Sequence, residues 1–395
     1  MVSTINTLSK SEVFSAISLV LLVYSGALKW MPFLPVDLTI LSFLLVVFCT
    51  ILFLFKTSYL DKSSALFLGL TLCYFGVFIS TAIYTYSNSF WKFKALTLLL
   101  NFVALMMPMV CFKNSQSLKL VENILITVGV IFAVIIMLIY QLGFIELLRQ
   151  KSILGDDLET PNYLVLSVGI GVATILLLTR GSVGNYLLAF LCFLAMLLLA
   201  GRGPLIFVMM VSSIIIFIDS RERNIFLKIL SVTVFFVLLV GLSLWEGAEV
   251  IKNRFLFMGE NIDGALRLDD LRISLDLIQK HLLFGIGIGG YGQAGFATDE
   301  NYYPHNLLLE SLLETGLIGF SIFVASIFYL LKSIYIYRRF RSVHPYFFLL
   351  LFIALNYMKS GGFVGARDLY FYIGLVFSAA VVAKKELRAK KGTLV

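Results

Sequence analysis

Leu34-Pro-Val-Asp-Leu-Thr-Ile-Leu-Ser-Phe-Leu-Leu-Val-Val-Phe-Cys-Thr-Ile-Leu-Phe-Leu-Phe55 runs for 22 residues with one charged side chain, Asp37, near its start. About 20 such residues in a helix cover the hydrocarbon core of a bilayer. The pattern recurs near 13–30, 65–86, 95–112, 121–143, 163–179, 185–200, 204–219, 225–245, 305–331, 345–358 and 369–383. About twelve transmembrane helices are therefore expected, in a single integral membrane domain over residues 1–395. The chain is 60% hydrophobic and 14% charged, with mean hydropathy +0.97, too little charge for a soluble surface of this size. The abundant Val, Ile and Phe would favour strands in water. In lipid the backbone must satisfy its own hydrogen bonds, so an all-α polytopic membrane protein is the expected class.

The first apolar run carries no small-residue cleavage site before a soluble domain and reads as the first span. Cys49, Cys73, Cys111 and Cys192 all fall inside spans and read as small packing residues. Orientation follows from Lys and Arg. With a cytoplasmic N-terminus, the inner side holds Lys56, Lys62, Lys113, Lys119, Arg180, Arg221, Arg223, Lys332, Arg338, Arg339 and Arg341, and the tail adds Lys384, Lys385, Arg388, Lys390 and Lys391. The outer side receives Asp156-Asp157-Leu158-Glu159 and one large loop, 246–304, inserted between the ninth and tenth spans. That loop has nine acidic and five basic residues, in a chain of net charge +8. The basic balance is thus a matter of topology and gives no support to nucleic-acid binding. Both termini are expected inside and the loop outside.

Three features meet on the outer face. The turn Ala200-Gly201-Arg202-Gly203-Pro204 joins two apolar helices, and its glycines allow close approach to the backbone. Pro204 suits a helix start, whose N–H groups and dipole, beside Arg202, make an anion site. The alternative is an arginine that snorkels to headgroups. From Arg267 to Phe284, Leu268, Leu271, Leu275, Ile278 and Leu282 recur at helical spacing, with Asp269, Asp270, Arg272, Asp276, Gln279 and Lys280 between them. The spacing predicts an amphipathic helix at the outer surface with Arg267 at its start, most of its charges merely solvated. Third, His305 is expected in the first turn of a transmembrane helix. There the positive helix end and nearby arginines would lower its pKa and keep it able to accept a proton. Asn306 follows it, and Glu310 and Glu314 lie one turn apart on one face. At that depth they are expected to be structural supports, paired with an arginine or with helix ends.

Gly285-Ile286-Gly287-Ile288-Gly289-Gly290 fits a dinucleotide fingerprint in spacing, but follows an amphipathic helix and not a strand. A flexible turn that folds the loop back over the membrane is the better account. No cluster has metal-ligand spacing, and neither a Ser–His–Asp pattern nor a Walker loop is present.

The Gly201-Arg202-Gly203 turn, the run Arg267-Leu-Asp-Asp-Leu-Arg-Ile-Ser-Leu-Asp-Leu-Ile-Gln-Lys-His-Leu-Leu-Phe-Gly-Ile-Gly and His305-Asn-x-x-Leu-Glu-x-x-x-Glu-x-Gly together resemble the O-antigen polymerase and ligase superfamily of bacterial envelope glycosyltransferases. The likeness covers roughly residues 200–320. The chain departs from it in having Leu271 where relatives often carry Trp and Leu282 where they carry Pro. A Ser is also common in relatives before the turn arginine, here Arg202. The resemblance implies a GT-C-like helical fold in the bacterial inner membrane, its active site extracytoplasmic, with no cofactor and no metal. It implies an undecaprenyl-pyrophosphate-linked oligosaccharide as donor, a sugar hydroxyl as acceptor and, among partners, a chain-length regulator protein. Arg202 and Arg267 would hold the pyrophosphate with Arg272 as helper, and His305 would be the general base of an inverting transfer.

Within that resemblance an O-antigen, capsular or exopolysaccharide polymerase is favoured over a ligase that delivers glycan to lipid A-core. The stretch Leu28-Lys29-Trp30-Met31-Pro32-Phe33-Leu34-Pro35-Val36-Asp37 is the more polymerase-like feature. A polysaccharide transporter or flippase is the reading from another class. It would call for mid-membrane charges and internal repeats, whereas the candidate charges here crowd one rim. Substitution of the arginines is expected to matter far more than loop changes such as Asp299→Ala.

Overall fold

The computed structural model describes residues 9–28, 38–56, 62–142, 163–199, 201–218, 262–337 and 343–392. Among these residues the architecture is helical throughout, without a strand. The helices are α1 (Lys10–Leu28), α2 (Leu38–Lys56), α3 (Lys62–Ser80), α4 (Phe90–Cys111), α5 (Ser115–Gln141), α6 (Tyr163–Arg180), α7 (Val183–Leu199) and α8 (Arg202–Ile218). They continue with α9 (Ile262–Lys280), α10 (Tyr291–Phe296), α11 (Leu307–Tyr337), α12 (His344–Ser360) and α13 (Arg367–Gly392). Each described apolar helix coincides with an expected span. The expected span at 225–245 and the acidic stretch at 156–159 lie outside the described residues. Lys62–Ile83, Phe90–Cys111, Ser115–Gln141 and Leu307–Tyr337 are long and apolar enough to cross a membrane, and several shorter apolar helices accompany them. This is the build of a polytopic membrane protein.

The chain divides into two compact units. The second unit takes most of α5 together with α6, α7 and α8, and in it α6 packs against both α7 and α8. The first unit contains α1 to α4, the beginning of α5 and the chain from residue 265 onward. There α13 lies along α4, α3 along α11, and α12 along α13.

The first unit has two distinct ends. At one end Tyr346 Oη donates to Leu118 O at 3.0 Å, Asn114 Nδ2 donates to Glu12 Oε1 at 3.0 Å, and Lys384 Nζ donates to Ser63 Oγ at 3.3 Å. Lys62, Lys113, Lys119, Lys332 and Lys385 belong to the same helix ends and connections. The other end gathers the α3–α4 connection, the glycine-rich turn after α9, the start of α11, the end of α12 and the start of α13. Successive described helices of the first unit therefore run between these two ends.

A break in α11 dominates that second end. Gly316 has φ 61° and ψ −169°, far from helical values. In an unbroken helix Leu317 N–H would donate to Leu313 O, and Ile318 N–H to Glu314 O. Here Leu313 O accepts from Ile286 N–H at 3.0 Å and Glu314 O from Gly287 N–H at 3.1 Å. Leu317 N–H donates to Leu282 O at 2.9 Å and Ile318 N–H to Leu283 O at 3.4 Å. Two lost helical bonds are thus replaced by four to the inserted turn, which satisfies a non-helical backbone at membrane depth. Only glycine fits the junction. A Cβ on Gly316 would lie 2.3 Å from Leu283 O, and one on Gly285 would lie 2.6 Å from Glu314 O.

The α3–α4 connection clamps the turn from its other side. Ile288 N–H donates to Thr81 Oγ1 at 2.8 Å, Thr85 Oγ1 donates to Ile288 O at 2.7 Å, and Tyr86 N–H donates to Ile286 O at 3.2 Å. The glycine turn folds back as expected, but it is buried and bonded on two sides, so the expectation of a flexible turn is corrected.

The helix α9 starts at Ile262, which moves Arg267 from its expected first position into the second turn, and it ends four residues before Phe284. Its buried face is Ser274, Leu277 and Ile278, packed with Ile286, Tyr291 and Leu313. Of the expected stripe, Leu268, Leu271 and Leu275 are exposed, while Ile278 belongs to the buried face. The partner surface thus meets one end of the expected stripe, together with Ser274 and Leu277. The outward row of leucines suits a helix lying at a membrane surface.

Gly316→Ala is expected to destabilise the protein by more than the roughly 1–3 kcal/mol of backbone strain alone, because the added methyl also meets Leu283 O. Thermal unfolding in detergent measures this; an unchanged midpoint would contradict the inserted turn.

Candidate functional site

The site end of the first unit is built around the start of α11. Asn306 caps that helix: its Oδ1 accepts from Leu309 N–H at 3.0 Å, and its Nδ2 donates to Met358 O at 2.9 Å across to α12. His305 therefore lies just ahead of the cap and not in the first turn, which corrects the expected placement. Its φ is 52°, a left-handed conformation uncommon for a side-chain-bearing residue. The ring is half-buried and tilts against Tyr303, with centroids 4.6 Å apart. A residue held in this conformation next to a polar rim marks a site where the surrounding structure dictates geometry.

One turn below, Glu310 and Glu314 are fully buried. Their counter-ion is Lys94 of α4, also buried, whose Nζ donates to Glu310 Oε1 at 2.5 Å and Glu314 Oε1 at 2.8 Å. The second oxygens are satisfied as well. Glu310 Oε2 accepts from Phe363 N–H at 3.0 Å, and Glu314 Oε2 accepts from Gly289 N–H at 3.0 Å. A lysine and two backbone N–H groups thus stand where an arginine or helix ends were anticipated. Removing one member of such a buried group leaves charge uncompensated, at a cost of about 3–5 kcal/mol. Neighbouring Ser311 shares a 2.8 Å hydrogen bond with Tyr74 Oη of α3.

Asp299 fixes the loop ahead of this helix. Its carboxylate accepts from Ser87 Oγ at 2.6 Å, Ser89 N–H at 2.6 Å, Ser89 Oγ at 2.9 Å and Phe90 N–H at 3.3 Å. Ser89, at the cap position of α4, makes no side-chain capping bond, so Asp299 caps α4 from more than 200 residues away. Desolvation raises its pKa, but the hydrogen bonds from Ser87, Ser89 and Phe90 outweigh this and bring it down to about 2. Asp299 is a structural clamp and not a silent loop position.

On the α12–α13 side, Tyr357 Oη donates to Gly365 O at 2.7 Å and to the Asp368 carboxylate. Arg367 opens α13 beside them, close enough for its charge to act on both Tyr357 and Asp368. A Cβ on Gly362 would lie 2.8 Å from the Tyr303 ring, so the His305 rim adjoins the α12–α13 connection. Sequence reasoning missed Lys94, Tyr303, Tyr357, Arg367 and Asp368. Lys94 carried a legible signal, an ionisable residue within a turn of an apolar helix start; the others carried none in their spacing.

The expected arginines fare differently. Arg202 opens α8 in the second unit, half-buried, and a Cβ on Gly201 would lie 2.7 Å from Ser167 Oγ of α6. That hydroxyl is buried and has no hydrogen-bond partner among the described residues. Arg202 makes no ion pair among the described residues. A helix start, an arginine and an unused hydroxyl together suit an anion. The side chain of Arg267 lies outside the described residues. Arg272 is 79% exposed and pairs at 3.3 Å with Asp269, also exposed, so it points to solvent and not to a pocket. The structure thus unites His305, Asn306, Glu310 and Glu314 at one end of the first unit, while Arg202 belongs to the second. Among the described residues no group of His, Cys, Asp and Glu has the arrangement to hold a metal ion.

A family model described as O-antigen ligase matches residues 187–324 of this chain, about a third of its length. Arg202, Arg267, Arg272, His305, Asn306, Glu310 and Glu314 all fall inside the matched segment. The match supports the O-antigen polymerase and ligase superfamily. A search of curated proteins finds no match.

Lys94→Met is expected to lower the unfolding free energy by about 3–5 kcal/mol. The triple variant Lys94→Met/Glu310→Gln/Glu314→Gln keeps acceptors for both backbone donors and should recover most of that loss. A triple variant no more stable than the single one would contradict the charge argument. Asp299→Ala should cost about 1–2 kcal/mol as a lost cap. Because its folded pKa lies below the ordinary carboxylate value near 4, that stabilisation is present above about pH 4 and fades as pH falls towards 2. Unfolding midpoints of wild type and variant across that range should converge at the acidic end.

Proposed function

We propose that this protein is a membrane glycosyltransferase that polymerises an envelope polysaccharide, moving an undecaprenyl-pyrophosphate-linked glycan onto a sugar hydroxyl of another lipid-linked repeat unit. The observation that carries the reading is His305, held left-handed and half-buried at the rim of a broken, Asn306-capped helix. In this reading about twelve helices cross the bacterial inner membrane, both termini are cytoplasmic, and the 246–304 loop with α9 lies outside. The clustering of lysines at the end of the first unit opposite His305 supports that orientation.

The imidazole of His305 takes the proton of the acceptor hydroxyl as its oxygen attacks the anomeric carbon. The new carbon–oxygen bond forms as the bond to pyrophosphate breaks, and the pyrophosphate leaves with the electron pair, inverting the centre. Negative charge grows on the leaving group, where fixed guanidinium groups and helix N–H groups stabilise it. Arg202 and Arg267 take that role. Arg272 reaches it only by releasing Asp269. Lys94, Glu310 and Glu314 hold the helix that presents His305.

A ligase that delivers finished glycan to lipid A-core is the second reading, favoured by the description of the matching family. Purified protein given synthetic lipid-pyrophosphate glycan separates the two. A ladder of products without core means polymerase, and a single transfer that requires core means ligase. Turnover should persist in chelator. His305→Ala should abolish turnover while insertion and donor binding remain, and normal turnover would remove the histidine from the mechanism. Arg202→Ala should weaken donor use at least tenfold, read as kcat/KM for the donor.

A further inference from the structure

The segment Ala297-Thr-Asp-Glu-Asn-Tyr-Tyr-Pro304 joins α10 to His305 and is anchored at both ends. Ala297 closes α10 in a left-handed conformation, φ 56°, and Thr298 N–H donates back to Gly292 O at 3.2 Å. Asp299 is clamped to the start of α4, and Pro304 is buried. Between these anchors Glu300, Asn301 and Tyr302 are exposed. Their backbone is nonetheless tightly held. Tyr302 N–H donates to Glu300 O at 2.8 Å, and a Cβ on Gly292 would meet Thr298 O at 2.6 Å and Glu300 O at 3.0 Å. Side chains presented from such a segment have little freedom left to lose on binding.

Tyr302 stacks on Phe296 of α10, with centroids 5.0 Å apart and planes at 27°. Phe296 in turn meets Tyr291, which is buried against α9, in a T-shaped contact at 5.6 Å. One face of Tyr302 is thus backed by a row of rings that ends in the core. With 43% of the residue still exposed, the other face is open.

An open aromatic face carries the negative part of the ring quadrupole and attracts polarised C–H groups. Beside it the Glu300 carboxylate can accept hydrogen bonds, and the Asn301 amide can both donate and accept. A pyranose ring matches that set, with C–H groups on one face and hydroxyls around its edge. A phosphate or an anionic headgroup would be repelled by Glu300. A protein partner would need far more area than one ring offers. Three residues separate Tyr302 from His305, at most about 11 Å of chain. Tyr303, between them, packs on the imidazole with centroids 4.6 Å apart. A glycan lying across Tyr302 therefore has a neighbouring sugar within reach of the histidine.

We propose that Tyr302, backed by Phe296 and flanked by Glu300 and Asn301, is the platform on which a sugar ring of the acceptor glycan lies, so that the acceptor hydroxyl comes to His305. This rests on the glycosyltransferase reading above and adds to it an acceptor subsite made by aromatic stacking. Tyr302 acts by positioning and takes no part in proton transfer.

The test uses full-length protein in nanodiscs. The probe is the oligosaccharide freed by mild acid from the lipid-linked pool of the producing cells, and saturation-transfer NMR reads its binding. Having neither lipid nor pyrophosphate, the probe reports the sugar site apart from the donor's anchor. Tyr302→Leu, which keeps apolar contact with Phe296 but has no ring, should weaken binding about tenfold. Tyr302→Phe and Tyr302→Trp should stay close to wild type, which separates stacking from folding because all three fill the position. Tyr335→Leu, at an exposed tyrosine near the far end of α11, should leave binding unchanged. The octyl glycoside of the same oligosaccharide can accept but cannot donate. With it as acceptor, Tyr302→Leu should raise the acceptor KM about tenfold, while the donor KM and kcat move little.

A Tyr302→Phe variant that binds as poorly as Tyr302→Leu, or equal rises in donor and acceptor KM, would overturn the proposal. So would unchanged oligosaccharide binding in Tyr302→Leu, as expected of a tyrosine that only anchors the loop at lipid headgroups. That last result in protein that transfers glycan would leave the catalytic reading intact. Binding that depends on Tyr302 in protein that transfers no glycan would sustain the sugar site while sinking the catalytic reading.

Discussion

Everything at the candidate site depends on the exchange of backbone hydrogen bonds between the broken helix α11 and the glycine turn after α9. A break at membrane depth exposes donors and acceptors that lipid cannot satisfy. The turn supplies them through Ile286, Gly287, Leu282 and Leu283, and it can approach only because Gly285 and Gly316 face each other without side chains. The same turn is bound by Thr81, Thr85 and Tyr86, so three segments distant in sequence are fixed by one small piece of backbone. The short segment of α11 before the break is thereby set apart from the rest, with His305 and Asn306 at its head.

The buried ion group works on that same segment from the side. Glu314 binds the turn twice, with its carbonyl to Gly287 and its carboxylate to Gly289, and binds α4 through Lys94. Glu310 binds Lys94 and the Phe363 N–H before α13. The carboxylates are therefore connectors between four elements, which explains why two of them can lie side by side in an apolar setting. Asp299 repeats the logic at the surface, where it ties the approach to α11 to the start of α4. Position, and not chemistry alone, is what these charges provide to the histidine.

Much of the fold was legible in the sequence, since hydrophobic length alone located the described apolar helices, although α5, α11 and α13 extend six to nine residues past an expected end, into polar sequence. The two-sided arrangement was also legible, because lysines collect at alternate connections. What periodicity could not supply was partnership. The stripe of α9 was seen as a helical face, yet of its members Ile278 makes the contacts, joined by Leu277 from outside it, while Leu268, Leu271 and Leu275 are exposed, because the surface that receives α9 is built by residues elsewhere in the chain. Gly285-Ile286-Gly287 was read as a turn without the break in α11 that it completes, as nothing in the local sequence of Leu307–Tyr337 announces that Gly316 leaves the helix. Lys94 was the one missed residue with a readable mark. Tyr357, Arg367 and Asp368 are ordinary helix-end residues until the fold sets them beside Tyr303.

The separation of Lys94 from Glu310 along the chain, 216 residues, has a bearing on biogenesis. At a synthesis rate of about 5–20 residues per second, α4 leaves the ribosome roughly 10–40 s before its carboxylate partners exist. A lysine near the centre of a helix costs on the order of 2.5–3.5 kcal/mol to insert, and near a helix end it can reach towards headgroups in the interim. Until Glu310 and Glu314 are made, Lys94 has none of the counter-charge that buries it in the folded chain. Maturation of the rim is in this sense a late event of translation, completed by the last third of the polypeptide acting on the first.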